Sequence, residues 1–462
     1  MNPFDVEVLR KALEAGNYNA APSTLLQGAA LQVSNISPIM ENVCFQDQHI
    51  VLQKMLRVEK CKTNLAQFDR QLSYGIFGGS AALEGAVGQE ETSEYIREVV
   101  PISYYVHIRR VTLVANMVET VDGVRAEDRA ALDATRKIAG DIEFDLFRGK
   151  ADFTTLGVFD GNPNFIPPLP NMLGLDPQVR QSDNNRKTQD AMFASYGSNQ
   201  SNIIPGGGAL TQTNIQDAQV RSNMNMGTAD RLIVDPIVLG NYNKIAFGKE
   251  RIILANTPQD ATGATLARQW GYGGAVELVA SRFLSGKTGP LQQRIGGPNP
   301  PSITVASVTV AGVVTPFIIN QVYTYYVTSE NEIGESAPSA AVPVTVAATG
   351  DELQVTITPP AGTIRFFNVY RTLAGAPANT AKFVGRIINL GATPVFIDLG
   401  NKIPGFVTGY LVQGDTMAIK ELAPYSRMTL AVTDLTKPEA HFRWCALAVM
   451  QPRKNVLIDN LS

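Results

Sequence analysis

Hydrophobic and polar positions follow their clearest regular pattern between Glu127 and Arg148, where apolar residues recur at helical spacing. Asp128 lies near the start of this segment and Gly149 follows its end, so the pattern predicts one helix of about 33 Å. The stripe expected to be buried consists of Leu132, Ala139, Ile142 and Leu146. The other face carries charges that we interpret as exposed to solvent: Asp133, Arg136, Lys137, Asp141 and Asp145.

A strand-like pattern precedes the helix. Val51–Val58 and the segment after Val99 are rich in β-branched and aromatic residues, whereas Gly75–Tyr95 between them is small, polar and glycine-rich. This order predicts a long β-hairpin over residues 51–110 with a mobile tip. A loop with so little apolar content has no core of its own, and loops of this length are usually functional or disordered.

Residues 1–50 lack a pattern that could build a core. A short amphipathic helix is predicted over Phe4–Leu13, after which Pro22 and Pro38 interrupt regular structure. We interpret this part of the chain as an extended arm.

The helix is followed by a segment rich in Pro, Asn, Gln and Gly, in which Gly206–Gly208 is predicted to be a flexible loop. Leu232–Val234 then predicts a buried strand that leads into a helix after Pro236. A further strand is expected over Ala275–Leu284. Residues 111–285 are thus expected to form an α+β body around the long helix.

Composition changes at Ser285–Pro301, which has the Gly and Pro content of a linker. From there to about residue 410 the chain shows short strands separated by turn residues, without a long helical pattern, which predicts an all-β sandwich over residues 286–410. The candidate strands are Thr304–Val310, Val322–Thr328, Leu353–Thr358, Phe366–Arg371, Phe383–Ile388 and Val395–Leu399. Residues 411–462 are strand-like again and are expected to return to the body, so the sandwich is an insertion.

Two segments of the insertion resemble fibronectin type III and related immunoglobulin-like modules. They are YTYYVTSENEIGESAPS, Tyr323–Ser339, and FNVYRTLAG, Phe367–Gly375, followed by FIDLG. In the usual module the strand with the VYR motif comes before the strand with the YxYxV motif, and here it comes after. Either the sandwich is circularly permuted or its boundaries differ from those above.

Composition excludes several classes of protein. The net charge of the 462 residues is −3, which gives no basis for wrapping nucleic acid. The three cysteines, Cys44, Cys61 and Cys445, are widely spaced and fit a reducing compartment better than a disulfide framework. The N-terminus has no signal-peptide pattern, and no apolar run approaches the ~20 residues that span a bilayer. We expect a soluble protein that is intracellular where it is made, with no membrane association.

No motif indicates catalysis, a metal or a cofactor. The three histidines, His49, His107 and His441, are far apart in sequence. His441 and Cys445 are four residues apart, as metal ligands on a helix are, but their segment is predicted to be a strand. We therefore expect no enzyme, no cofactor and no metal site.

Five carboxylates are candidates for contacts between subunits. Glu90, Glu91 and Glu94 form an acidic cluster near the hairpin tip, where a salt bridge to a neighbour's Lys or Arg is more plausible than acid–base catalysis. Asp141 and Asp145 on the long helix are the other two. Trp270 and Trp444 are interpreted as core or interface residues rather than as a platform on which a sugar stacks.

The order of arm, glycine-tipped hairpin, long helix and α+β body resembles the major capsid proteins of tailed bacteriophages, of the Hong Kong 97 type. The hairpin is similar to the extended loop of that family and Glu127–Arg148 to its spine helix. The segments RLIVDPIVLGNYNKIAFG, AVELVASRFL and AVMQPRKNVLIDNL resemble its peripheral and axial domains.

This resemblance implies that many copies form an icosahedral shell of pentamers and hexamers around double-stranded DNA, without sequence-specific binding. The implied partners are copies of the chain, a portal, a cement or decoration protein and, because no long helical segment precedes the arm, a separate scaffolding protein. The location would be the virion, after assembly in the host bacterial cytoplasm, with the inserted sandwich on the outer face. Two alternatives remain: a tail or surface adhesin whose sandwich binds glycans, and an enzyme of unrecognised type.

Overall fold

The computed structural model describes residues 49–73, 81–88, 90–118, 124–149, 171–189, 201–247, 268–285, 297–310, 315–331, 333–389, 393–432 and 434–462. The fold is α+β with more strands than helices, so the predicted fold class is confirmed. The predicted helix over Phe4–Leu13, Cys44 and most of the segment between the long helix and residue 171 lie outside the described residues.

Six α-helices are described. They are α1 Leu52–Met55, α2 Leu113–Met117, α3 Ala126–Arg148, α4 Leu175–Gln189, α5 Gln212–Met224 and α6 Pro236–Phe247. The predicted long helix is α3, but its buried stripe is shifted: Ala134, Ile138, Ile142 and Leu146 are buried, while Leu132 is 55% exposed. The buried residues of α3 recur every four positions, and Ile138 and Ile142 face the same core cluster. The predicted stripe of Leu132, Ala139, Ile142 and Leu146 is therefore only partly correct.

Nineteen strands are described, and those outside the inserted region fall into three sheets. A four-stranded sheet has the order β1-β17-β18-β4, a six-stranded sheet the order β5-β19-β16-β6-β8-β7, and β2 pairs with β3. Their bounds are β1 Arg57–Lys60, β2 Leu65–Ser73, β3 Glu94–Pro101, β4 Ser103–Thr112, β5 Ile203–Gly208, β6 Arg231–Val234, β7 Arg268–Gly271, β8 Gly274–Ala280, β16 Val407–Val412, β17 Met417–Thr429, β18 Thr436–Val449 and β19 Val456–Leu461.

The four-stranded and six-stranded sheets share a core with α3 and α4. Ile138 and Ile142 of α3 pack in one buried cluster with Leu447 of β18 and Leu457 of β19. Arg180 on α4, whose side chain is 15% exposed, binds Asp459 of β19 through two hydrogen bonds, of 2.6 and 2.5 Å. This charge pair ties α4 to the six-stranded sheet, and such a pair is costly to break because it leaves one charge buried alone.

Two predicted elements are replaced by others. Val51–Val58 was expected to be a strand, but its centre is the short helix α1, because a carboxylate of α3 caps that turn. The expected strand Ala275–Leu284 ends at Ala280 and continues as a 3₁₀ turn over Arg282–Leu284. The hairpin is shorter than the predicted range of residues 51–110. It consists of β2 and β3, whereas β4 pairs with β18 in the four-stranded sheet.

The glycine-rich segment predicted to be a loop is strand β5, which pairs in parallel with β19. A Cβ at Gly206 would lie 2.6 Å from the carbonyl oxygen of Asp459, so only glycine allows the two backbones to approach this closely. Gly207 has a φ of +68° at a point where the register shifts. The glycines therefore form a bulge in a strand.

The inserted region folds into two sheets, β11-β10-β13-β14 and β15-β12-β9, that enclose one hydrophobic core. The strands are β9 Ser302–Thr309, β10 Val322–Glu330, β11 Val342–Thr345, β12 Asp351–Thr358, β13 Phe366–Arg371, β14 Lys382–Ile388 and β15 Val395–Asp398. All six predicted strands are present, and β11 is additional. We call residues 302–398 the module and the other described residues the body.

The two motifs of the module lie on neighbouring strands. The YxYxV strand β10 pairs antiparallel with the VYR strand β13, and both are central in their sheet. Glu335 of the NxxGES turn accepts hydrogen bonds from Tyr370 at 2.6 Å and Asn368 at 3.1 Å on β13 and from Thr328 on β10, which fastens the turn to both strands. The motif thus has a structural role in this chain.

The predicted end of the insertion at residue 410 lies inside β16. This strand pairs with β6 on one side and β19 on the other, in the middle of the six-stranded sheet. The return to the body therefore comes before Val407. Pattern alone could not find this boundary, since β15 and β16 are both short and apolar.

Candidate assembly surfaces

The described residues offer little for catalysis. No group of three or more His, Cys, Asp or Glu side chains among them is arranged to hold a metal ion. No helix in the described ranges is long and apolar enough to cross a membrane. An open cleft of about 400 Å³ is lined by Lys54, Arg57, Asp230, Arg231 and Asp415. Two of its cations are neutralised by Glu59 and Glu277. The surfaces of the chain are more informative than its cavities.

The four-stranded sheet buries Ile419 and Leu447 against α3 but leaves a row of apolar side chains of β4 exposed on its other face. Along β4, Tyr104, Val106 and Ile108 are 51–54% exposed. Tyr105 and His107, between them, point towards α3, as the hydrogen bond of Tyr105 to a carboxylate of that helix shows. In most half-buried sheets the apolar side chains face the core and the polar ones face solvent.

The neighbouring strand β18 repeats this arrangement, because residues paired across an antiparallel sheet lie on the same face. Trp444 is opposite Tyr104 and Phe442 is opposite Val106. The rings of Tyr104 and Trp444 meet edge to face, with centroids 5.4 Å apart. We call the surface made of Tyr104, Val106, Ile108, Phe442, Trp444 and the exposed Met428 of β17 the outer sheet face.

Exposed apolar side chains continue beyond the outer sheet face at the end of the same sheet. Helix α2 follows β4 directly, and Leu113 donates its backbone N–H to the carbonyl oxygen of Leu435 at 2.9 Å. The exposed members of this cluster are Leu113, Val114, Met117, Val118, Val432 and Leu435. Contiguous patches of this kind mark interaction sites.

The hairpin β2–β3 is fastened to the body only on one face. Arg70 donates to the carbonyl oxygen of Val449 at 2.8 Å and to Glu98 at 3.0 Å. Burial lowers the pKa of Arg70, and Glu98 opposes this effect. On the other face Asp69 and Arg97 pair at 2.8 Å in solvent, a contact that contributes little stability.

The tip of the hairpin is described over residues 81–88 and 90–93, and all of these residues are exposed. A turn at Gly85 leaves Leu83 85% and Val87 97% exposed. The predicted cluster Glu90, Glu91 and Glu94 is also exposed, and the structure records no ion pair for it within the residues described. Among the described residues, the tip is thus an exposed segment with both apolar and acidic side chains.

The two helix carboxylates predicted as contacts differ from each other. Asp141 lies on the surface of α3 and pairs with Lys137 at 2.7 Å. Asp145 is buried, and its Oδ2 accepts a hydrogen bond of 2.6 Å from Tyr105. Burial raises the pKa of Asp145 to about 7. A carboxylate enclosed in its own subunit does not reach a neighbour, so this prediction is wrong.

One carboxylate of α3 was missed by the sequence reading. Glu143 accepts hydrogen bonds from three successive backbone N–H groups, those of Val51 at 3.0 Å, Leu52 at 2.6 Å and Gln53 at 3.0 Å. It caps the first turn of α1 from another helix. Burial raises the pKa of Glu143, and these bonds oppose the shift. The contact sets where the chain enters the body.

No protein-family model and no curated protein matches this chain. Solved structures similar to it include the capsid of a native GTA particle, with 11% identity over 94% of this chain and 97% of that chain and a TM-score of 0.46. The capsid of cyanophage P-SCSP1u has 9% identity over 94% of both chains and a TM-score of 0.42. The SrpI encapsulin complex from Synechococcus elongatus PCC 7942 has 10% identity over 92% of both chains and a TM-score of 0.35.

The likeness to phage capsid structures that the order of elements predicted is therefore found. Identities near 10% and TM-scores below 0.5 assign no role to any residue. The function has to be argued from the chain's own surfaces.

Proposed function

We propose that this chain is the major capsid protein of a tailed phage, of which many copies form an icosahedral shell of pentamers and hexamers around double-stranded DNA. The observation that carries the proposal is the row of exposed apolar side chains on β4, which lies beside the half-buried rings of Phe442 and Trp444 on β18. A sheet with Val106 and Ile108 in solvent and His107 beneath it makes sense when a second copy covers its outer face. Obligate interfaces between subunits bury roughly 2,000–5,000 Å².

The hairpin of a neighbouring copy is the segment that fits this face. Its tip presents the exposed Leu83 and Val87, which have no apolar partner in their own chain among the residues described. Its acidic cluster, Glu90, Glu91 and Glu94, matches the exposed Arg110, which lies on β4 beside the outer sheet face. Apolar burial supplies affinity and the charges supply register.

The remaining partners follow from the same proposal. A scaffolding protein, a portal and a cement or decoration protein would bind the shell, with assembly in the bacterial cytoplasm and residence in the virion. A net charge of −3 suits a wall that encloses DNA without gripping it. The module would project outwards. The exposed aromatic side chains of the described residues lie in the body, so no stacking platform supports the glycan-binding alternative.

The test is a pair of matched double variants examined by size-exclusion chromatography and negative-stain microscopy. Val106→Asp with Ile108→Asp places two charges on the outer sheet face. Ile318→Asp with Leu373→Asp places two charges on module residues of similar exposure, 57% and 55% against 54% and 51%. We expect closed particles or capsomers from the wild type and the module variant, and folded subunits without particles from the sheet variant.

Two results would contradict the proposal. Wild-type chain that forms only small oligomers would favour an adhesin. Particles of normal yield from the folded sheet variant would show that the outer sheet face is not an assembly contact. Circular dichroism of each variant separates loss of assembly from loss of fold.

A further inference from the structure

Two of the three histidines of the chain meet inside the body. His107 on β4 and His441 on β18 are direct partners across the antiparallel pair, so they lie on one face of the sheet, the face that packs against α3. His441 has no exposed surface, and His107 is partly buried. We call these two residues the histidine pair.

The Nε2 atom of each imidazole ring is buried and makes no hydrogen bond. Neither Nε2 of His107 nor Nε2 of His441 has a hydrogen-bond partner, and the Nε of the adjacent Arg109 is in the same condition. The other nitrogen of His441 is engaged, because its Nδ1 lies 2.8 Å from the hydroxyl of Tyr425. Three buried nitrogens thus share a region that is poor in acceptors, which is unusual in a folded protein.

Charged groups from five parts of the chain face the pair: β4, α3, β17, β18 and the module. His107 is near Arg109 of its own strand, Lys137 and Asp141 of α3 and Arg365 of the module. His441 is near Arg427 of β17, Arg109, and Glu439, whose Oε2 is 3.9 Å from His441 Nε2. The cations outnumber the two carboxylates, and Asp141 is already paired with Lys137.

Both rings are therefore neutral near pH 7. Burial lowers the pKa of His107, and Arg109 and Lys137 act in the same direction against Asp141. Burial also lowers the pKa of His441, where Glu439 opposes the effect and Arg427 adds to it. Neutral imidazoles can bind metal ions, but the surrounding guanidinium groups repel a divalent cation and no third ligand is in place.

We propose that the histidine pair makes the packing of α3 on β4 and β18 acid-sensitive. Each proton taken up puts a positive charge on a ring whose Nε2 has no hydrogen-bond partner and which faces more cations than carboxylates. The two protonated rings also repel each other across the strand pair. Acid would thus loosen the contact between α3 and the sheet, while the module, which has no histidine, keeps its fold. The inference concerns the folded subunit and holds whether or not it forms a shell.

The direction in which stability changes with pH follows from the difference in proton binding between the folded and unfolded chain. Because the pKa of each ring in the folded state lies below its usual value of about 6.5, the unfolded chain binds more protons as the pH falls past that value. The stability that the neutral rings provide is present above pH ~6.5 and is lost below it. Asp145 titrates in the same interface with the opposite sign, so the test has to compare variants with the wild type at each pH.

Amide hydrogen exchange of the full chain at about pH 7.5 and pH 5.5, corrected for the intrinsic pH dependence of exchange, measures this loosening. For peptides of β4, β18 and α3, we expect the ratio of the exchange rate at pH 5.5 to that at pH 7.5 to be about three- to tenfold larger in the wild type than in His107→Gln, because an unfolded imidazole with the usual pKa of about 6.5 is mostly protonated at pH 5.5. His107 is partly exposed, so this variant is expected to fold. His49→Gln is the control and should keep the wild-type ratio.

The same ratio of exchange rates in His107→Gln as in the wild type would overturn the proposal, because Asp145 is present in both proteins and its opposite effect cancels in the comparison. A second measurement does not depend on a variant. With ¹³C-labelled histidine, two of the three ring signals should titrate with midpoints below about 6.5. If all three titrate at or above that value, the histidine pair is not acid-sensitive in the way proposed.

Discussion

The four-stranded sheet of the body and the sandwich of the module are both built from alternating strands, with opposite results. In β12 of the module, Leu353, Val355 and Ile357 are buried against the second sheet. In β4 of the body, Val106 and Ile108 are exposed and their polar neighbours are turned inwards. The same period of two residues therefore yields a closed core in one region and an open apolar surface in the other.

The two regions differ in whether their apolar side chains are buried within the same region. The module encloses one core between two sheets and holds a buried ion pair, Arg371 with Asp398, whose side chains are each 4% exposed. The body has cores of its own, but its hairpin tip and the β4 residues of its outer sheet face are exposed in the part of the chain that the structure describes. A module with its own closed core, inserted in a body that leaves apolar surface exposed, is the arrangement expected when a separate domain is inserted in a subunit that needs partners.

The largest effect should come from removing the module at two different end points. Deletion of residues 302–398, closed by a short Gly-Ser linker, leaves β16 intact, and we expect soluble protein with a folded body. Deletion of residues 302–410 removes Val407–Tyr410 from between β6 and β19, and we expect insoluble protein. Soluble yield and limited proteolysis measure both. Equal yields from the two deletions would show that β16 is dispensable and that the two regions are not separate.

Two substitutions compare the interiors directly. Leu353→Ala in the module should destabilise it by about 2–5 kcal/mol, because the side chain is fully buried and leaves a cavity. Ile108→Ala on the outer sheet face should change the stability of the unassembled chain by less than about 0.5 kcal/mol. Urea unfolding of dissociated subunits measures both. A large cost for Ile108→Ala would mean that the outer sheet face is already covered within the subunit.

The module was easier to predict than the body for a physical reason. Its strands bury apolar residues against each other at short range, so that six of its seven strands follow from local alternation. The seventh, β11, has four residues and contains Pro343, which is unfavourable in a strand interior. Helix α5 escaped prediction because its buried side includes Gln219 and Ser222 beside Ile215 and Ala218, and a polar buried face gives no periodic apolar signal.

The assembly surfaces were only partly accessible from the sequence. The exposure of Glu90, Glu91 and Glu94 followed from a glycine-rich polar tip, and their contact with a neighbouring subunit stays a prediction. The alternation of β4 was visible, but alternation does not say which face lies inside. That is decided by α3, whose Asp145 attracts the hydroxyl of Tyr105 and thereby turns the polar residues inwards. Such a long-range partner has no local signature.

One carboxylate in the body and one in the module should make the stability of their regions depend on pH in opposite directions. Asp145 of the body has a pKa raised to about 7 by burial, so the folded state binds more protons than the unfolded chain between pH ~4 and 7 and loses stability as the pH rises through that range. Asp145→Asn should therefore stabilise the body by roughly 1–2 kcal/mol at pH 8, where the wild type must hold a buried charge, and much less at pH 5.

The control for Asp145→Asn is Asp141→Asn, one turn earlier on α3, which removes only an ion pair with half-exposed partners and should change stability by less than about 0.5 kcal/mol at either pH. Urea midpoints at the two pH values provide the measurement. Equal gains at pH 5 and pH 8 would mean that Asp145 is already neutral throughout.

The smallest effect is expected from Asp351 of the module, whose pKa has the opposite shift. Its carboxylate accepts hydrogen bonds from Ser307 at 2.6 Å, Thr309 at 2.5 Å and the backbone N–H groups of Ala347 and Ala348, and these bonds, the hydroxyl of Ser307 first, lower its pKa to about 2. The stability it provides is present above pH ~4 and is lost as the pH falls towards 2. Asp351→Asn should weaken the module slightly at pH 7 and flatten its loss of stability in acid. Hydrogen exchange of β9 and β12 peptides between pH 4 and pH 2.5 measures this, and an acid response as steep as that of the wild type would assign the acid sensitivity of the module to another group.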